Sequence, residues 1–295
     1  MQVVIKSVRC GHGICRFCGL GLIDKPYDKP LSEGEFTSQL ADAMERHRDS
    51  LARLEKFCIL GNAHSVFAED VIGPAAFREG VALLAAKLPM LRMLSFETRA
   101  EHIIPATLSG IAAMASTKTL RFEAAVGVES AYESVRQAHR KGLTDQMLFD
   151  AAKTLEESGW ALRAYFIYHL PGRAKMEAGN DLELAACLLG RIKEICPHLP
   201  ITLYLHASYV PQAVRRRAVY RDFDLPTEEE LARDLMAITP VCKKLGLQID
   251  VEASGNDEMM TDANAIKMGR ESKAALEAFN SSNDASYLER ILIPR

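Results

Sequence analysis

No apolar run in the chain approaches the ~18 residues needed to cross a bilayer. The most apolar stretch, Val81 to Leu94, is interrupted by Lys87, Pro89 and Arg92. The opening residues, Met-Gln-Val-Val-Ile-Lys, lack the charged flank, apolar core and cleavage site of an export signal, so a cytoplasmic location is expected. No excess of basic charge is present. Lys and Arg number 36 against 39 for Asp and Glu, a net charge of −3, which argues against a generally basic nucleic-acid-binding surface. Internal repeats, low-complexity tracts and long Pro/Gly/Ser linkers are also missing. The seven cysteines are an odd number in a chain large enough to bury its own core, so a disulfide framework is not expected. Apolar residues make up 48% of the 295, enough for a packed core and too many for global disorder.

What remains is an alternation of strands and helices. Strands are expected at Gln2–Val8, Phe57–Leu60, Met90–Phe96, Thr119–Val126, Trp160–Tyr168, Ile201–His206 and Gly246–Val251. Between them, helices are expected at Glu33–Leu54, Pro74–Lys87, Pro105–Ala115, Thr144–Ser158, Lys175–Cys196 and Thr227–Lys244, and the tail from Asp262 reads as helical. Pro74 suits a first turn, and Gly159 suits a helix end. Thr227 followed by three Glu suits an N-cap and the helix dipole. Six to seven βα units imply an α/β fold with a parallel sheet, either a partial or complete (β/α) barrel, over residues 1–255. Residues 256–295 are expected to be a short helical extension packing on it. In such folds chemistry sits beyond the carboxyl ends of the strands.

Those ends are polar in the first six units. The second gives Gly61, Asn62, His64 and Ser65; the third Glu97, Arg99, Glu101 and His102; the fourth Glu129 and Ser130. The fifth gives Tyr168 and His169, and the sixth His206, Ser208 and Tyr209. The first gives Cys10, His12, Cys15, Phe17 and Cys18, with the cysteines spaced C-x4-C-x2-C. Three thiolates in one loop suit a metal that keeps an open coordination position. Closed structural zinc wants four ligands, and His12 is either a fourth or an ordinary loop residue. A 4Fe–4S cluster normally takes four cysteines; three leave one iron free for substrate or cofactor. Arg215, Arg216 and Arg217, with Tyr220 and Arg221, form a short basic run that reads as a solvated face more readily than as a phosphate grip.

Three cysteines after the first strand of a βα barrel, with an aromatic just before the last, resemble the radical SAM superfamily. The usual spacing there is CxxxCxxC, one residue shorter between the first two cysteines. Glu97-Thr-Arg-Ala-Glu-His-Ile, Arg121-Phe-Glu-Ala-Ala-Val-Gly-Val-Glu-Ser, Arg140-Lys-Gly-Leu-Thr and Ala164-Tyr-Phe-Ile-Tyr-His-Leu-Pro resemble the branch typified by the Elongator catalytic subunit. Within it, they resemble most the radical SAM partners of archaeosine synthase, which modify tRNA.

The resemblance covers about residues 5–250 and implies a 4Fe–4S cluster on Cys10, Cys15 and Cys18, with S-adenosylmethionine on the fourth iron. It places Phe17 by the adenine, Gly61, Asn62 and Ser65 at the methionine amino group, and Glu129 and Ser130 near the ribose and carboxylate. Arg163 is a further candidate for the carboxylate. Glu97, Arg99, Tyr165, Tyr168 and His206 are expected where a substrate meets a 5′-deoxyadenosyl radical. Implied partners are an electron donor such as flavodoxin or ferredoxin and, in view of the acidic composition, a small-molecule substrate ahead of tRNA, the latter through a partner subunit.

Overall fold

The computed structural model of the protein describes residues 1–18, 27–61, 65–114, 120–170, 176–206, 216–218, 223–252, 266 and 268–292. Seven strands form one sheet in chain order: β1 (Gln2–Ile5), β2 (Lys56–Gly61), β3 (Met93–Thr98), β4 (Arg121–Glu129), β5 (Ala161–Ile167), β6 (Ile201–His206) and β7 (Gln248–Glu252). The described registers are parallel, with β1 and β7 at the two ends of the order, which is the partial (β/α) barrel expected. Helices supply the crossovers that parallel strands require. They are α1 (Glu33–Arg46), α2 (Arg48–Leu51), α3 (Pro74–Lys87), α4 (Pro105–Met114), α5 (Glu133–Ala138), α6 (Asp145–Glu157), α7 (Met176–Ile195), α8 (Glu228–Lys244) and α9 (Arg270–Ser282). No described helix is long and apolar enough to cross a membrane.

Local chemistry explains most boundaries. Ser32 and Thr227 each form a capping box, with Glu35 and Glu230 respectively. Gly159 follows α6 at φ +68°, a left-handed turn that costs glycine nothing. The helix expected to run to Leu54 ends at Arg46, and only one further turn follows. After Met44 come six polar residues, Glu45 to Ser50, with no apolar face to bury. The third strand starts at Met93, not Met90, because Pro89 and Met90 form a turn in which Leu91 N–H donates to Leu88 O at 3.2 Å. The fourth runs on to Glu129, and α5 has no counterpart among the expected helices.

The chain divides into two compact units. One comprises Met1–Gly13, Leu20–Gly127 and Gln146–Leu162; the other comprises Ile14–Gly19, Val128–Asp145 and Arg163–Arg295. In the first unit, alternation along each strand separates two chemistries. Phe57, Ile59, Leu94, Phe96 and Phe122 are buried on one face, where α1 and α3 contribute Phe36 and Phe77. Phe96 lies 5.2 Å from Phe77, and Phe122 lies 4.9 Å from Trp160, ring centre to ring centre. Full burial of each such ring stabilises the fold by about 2–3 kcal/mol. Gly80 lets α3 approach α1: a Cβ there would meet the Phe36 ring at 2.3 Å. The intervening positions include the polar Lys56, Ser95 and Glu123. Glu123, 3% exposed, accepts hydrogen bonds from Lys56 Nζ at 2.8 Å and Ser95 Oγ at 2.7 Å.

The second unit repeats the alternation. Ala164, Phe166, Leu203, Leu205, Ile249 and Val251 are buried apolar positions. Between them stand Arg163, Tyr165, Tyr204, His206, Asp250 and Glu252, with Tyr204 beside Asp250 and His206 beside Glu252 in the register. The outer edge of β7 is matched by side chains of α9 and its C-cap. Asn280 exchanges two hydrogen bonds with Val251, at 2.9 and 2.7 Å, and Asn283 does the same with Ile249, at 2.6 and 2.9 Å.

Candidate functional site

In the second unit the cysteine loop meets the end of α5. Just past α5 and its C-cap His139, Arg140 adopts φ +57°, a left-handed turn. His139 O accepts from Arg16 N–H at 3.0 Å, and the Cys15 thiol donates toward Arg140 O at 3.8 Å. Cys18 N–H closes the turn on Cys15 O at 3.4 Å. Phe17 is buried edge-on against His139, with ring centres 5.7 Å apart. The Arg140-Lys-Gly-Leu-Thr block thus begins at the helix end that receives the cysteine turn, and its first residue shapes that end. In the first unit, Cys10 Sγ accepts from Gly13 N–H at 3.4 Å.

Among the described residues, no three His, Cys, Asp or Glu side chains are gathered as a metal site. The donor chemistry nevertheless fits an iron–sulfur cluster. Cys10, Cys15 and Cys18 are in no disulfide and are all partly exposed, while Cys58, Cys196 and Cys242 are buried elsewhere. Burial pushes the Cys242 thiol up to about 12, with Cys187 adding to the shift, so it remains protonated at neutral pH.

The loop after β4 is built around Arg136, wholly buried on α5. Its Nε donates to Leu143 O at 3.0 Å and its Nη1 to Ser130 O at 2.8 Å, while Nη2 pairs with Asp145. Ser130 Oγ reaches both carboxylate oxygens of Asp181 on α7 at 3.1 Å. Glu129 is held at φ +71°, an uncommon conformation for a residue with a side chain, and pairs with Lys141 Nζ at 2.6 Å. Glu129 and Ser130 are therefore fixed by partners that the sequence pattern does not reveal. Asp181, Lys141 and Arg136 lie 6 to 51 residues away in sequence.

In the first unit, Glu97 bridges two strand ends: its Oε2 accepts from Gly61 N–H at 2.9 Å, and its carbonyl from Val66 N–H at 3.0 Å. Ser65 Oγ and Thr98 Oγ1 share a buried hydrogen bond of 2.7 Å. Arg99 Nε pairs with Glu101. Burial opposes the Glu101 charge, but the Arg99 hydrogen bond and nearby backbone and positive charge outweigh it and hold the carboxyl below its usual range. Asn62 and His64 lie outside the described residues, as do Ser208, Tyr209, Arg215, Tyr220 and Arg221.

The fifth to seventh strands carry a continuous polar row. Arg163 pairs with Asp250 at 3.1 Å and lies over the Tyr204 ring at 4.7 Å. Tyr165 meets Tyr204 edge-on at 4.7 Å, and His206 Nδ1 stands 3.1 Å from Glu252. Tyr168 does not join them. It falls in the alternation with Ala164 and Phe166, and its hydroxyl donates to Asp234 on α8 at 2.8 Å. Burial first, then the Asp234 charge, push that hydroxyl far above its ordinary value, so it stays protonated. Its place is a strut between sheet and helix.

No protein-family model matches the chain, and no curated protein matches it either. Solved structures do resemble it. Coproporphyrinogen III oxidase (HemN) from Escherichia coli, a radical SAM enzyme, aligns over 83% of this chain and 52% of its own. The identity is 17% and the TM-score 0.50. The cobalamin-dependent S-adenosylmethionine radical enzyme OxsB aligns over 62% of this chain and 26% of its own, at 16% identity and a TM-score of 0.42. The carboxyl transferase domain of pyruvate carboxylase from Rhizobium etli aligns over 98% and 46%, at 12% identity and a TM-score of 0.36. The chain spans about half the length of HemN, and at this identity the likeness is one of fold.

Proposed function

We propose that the chain is a radical SAM enzyme acting on a small-molecule or biosynthetic substrate. The observation that carries this reading is the C-x4-C-x2-C loop at the carboxyl end of β1, in a fold shared with HemN. Cys10, Cys15 and Cys18 would hold a 4Fe–4S cluster. When bound, that cluster supplies the electron that cleaves S-adenosylmethionine to methionine and a 5′-deoxyadenosyl radical, which takes hydrogen from the substrate.

The chain's own residues bind and orient. Phe17 offers an apolar ring beside the cysteine turn, for the adenine. Gly61, Ser65, Glu129 and Ser130 stand at strand ends, where polar groups of S-adenosylmethionine would be gripped. Glu97, Arg99, Tyr165 and His206 are the residues assigned to the substrate, and Arg163, paired with Asp250, is the further candidate for the S-adenosylmethionine carboxylate. The carboxylates of Asp250 and Glu252 favour a neutral or cationic substrate over a polyanion. A flavodoxin or ferredoxin would deliver the electron. The resemblance of Arg140-Lys-Gly-Leu-Thr to tRNA-modifying relatives keeps tRNA as the second reading, reached with a partner subunit.

Anaerobic reconstitution with iron and sulfide, reduction and addition of S-adenosylmethionine tests this reading. The expected result is a brown protein that releases 5′-deoxyadenosine, and a C15A variant that stays folded but does neither. A colourless protein with one bound zinc and intact S-adenosylmethionine would overturn it in favour of a structural metal. Salt-sensitive binding of bulk tRNA would replace the small-molecule substrate with RNA.

A further inference from the structure

Arg217 belongs to the basic run that composition alone assigns to a solvated face. In the structure one of its nitrogens serves three backbone acceptors of the cysteine turn. Its Nη1 lies 2.8 Å from Cys15 O, 2.9 Å from Arg16 O and 3.3 Å from Cys18 O. The partners are 199 to 202 residues apart in sequence, so the contact is tertiary and not a local turn.

The remaining groups of the turn face elsewhere. Arg16 N–H and the Cys15 thiol are directed to the carbonyls of His139 and Arg140. Cys18 N–H is spent on Cys15 O. The turn is thus held from both sides, by carbonyls against its N–H and thiol groups and by a cation against its carbonyls. Three carbonyls converging on one point repel each other unless a donor sits among them, and a guanidinium nitrogen is a charged donor.

We propose that Arg217 is a positioning residue that locks the Cys15–Cys18 turn, its charge offsetting that of a cluster held by the thiolates. The second half of this statement rests on the radical SAM reading; the first half does not. The same cation beside the loop raises the reduction potential of whatever cluster the thiolates hold, because positive charge favours the more negative, reduced state.

The test compares wild type, R217A and R217K. In the metal-free chain, hydrogen exchange is followed peptide by peptide. R217A is expected to exchange residues 15–18 on the order of tenfold faster, with the strands unchanged, and R217K to recover most of the protection. After reconstitution, R217A is expected to show a more negative cluster potential, and R217K one near the wild type. Unchanged exchange in the turn would overturn the proposal, as would equal acceleration throughout the chain. Wild type that takes up no iron and sulfide defeats the radical SAM reading alone, because the exchange arm still decides whether Arg217 locks the turn.

Discussion

Two polar rows line strands of the same sheet and are built differently. In the first unit, Glu123 is buried and its charge is consumed by Lys56 and Ser95. In the second, Asp250 and Glu252 keep side chains 29% and 25% exposed while pairing with Arg163 and His206. The contrast separates a fastener from a surface. A carboxylate closed off from water can do little beyond holding strands together, whereas one that pairs and still meets solvent can exchange its partner for a ligand. The candidate substrate residues of the second unit lie along the second kind of row.

The sharpest way to break the comparison is on the apolar side of the first unit. F96A empties a site among Phe67, Phe77, Phe122 and Trp160 and is expected to cost about 3–5 kcal/mol in urea unfolding. Next is the fastener. E123A strands Lys56, whose side chain is one-third exposed and can partly turn to water, so about 2 kcal/mol is expected. K56M combined with E123A should recover much of that loss in the same assay, since the pair is then replaced as a unit.

Y168F removes one buried hydrogen bond and is expected to cost about 1 kcal/mol near pH 8. Its pH dependence is more telling. The folded hydroxyl sits above its ordinary value of 10.0, so its contribution is complete below that value. As pH rises, the unfolded chain ionises while the folded one resists, and stability falls. Above pH 10 the stability of wild type should therefore fall more steeply with pH than that of Y168F, read from denaturation midpoints. The smallest effect is expected for E252Q, under roughly 0.5 kcal/mol, because its pair is partly exposed. If E252Q instead destabilised as much as E123A, the two rows would be fasteners alike.

The strand order and several boundaries are legible in the sequence: α3 and β6 fall where periodicity and Pro74 place them. Thr227 caps α8 because Ser/Thr-x-x-Glu is a local signal read over four residues. The cysteine loop and the polar strand ends are visible for the same reason. Partners are not. Ser130 with Asp181, or Arg217 with Cys15, joins segments 51 and 202 residues apart, and no periodicity encodes such a pair. Tyr168 is different, because a signal exists. It shares parity with Ala164 and Phe166, so strand alternation alone assigns it to the helix side.

The asparagines beside β7 bear on how copies of this protein behave in a crowded solution. An outermost strand offers alternating donors and acceptors to any extended peptide, the usual start of sheet-to-sheet stacking. Here two carboxamides imitate a neighbouring strand and leave nothing for an intruder to match at Ile249 and Val251. Conversion of either amide to a carboxylate, the chemical fate of ageing asparagine, would replace a donor with a repelling charge and unmask that edge. The protection of that edge is thereby tied to two side chains, Asn280 and Asn283.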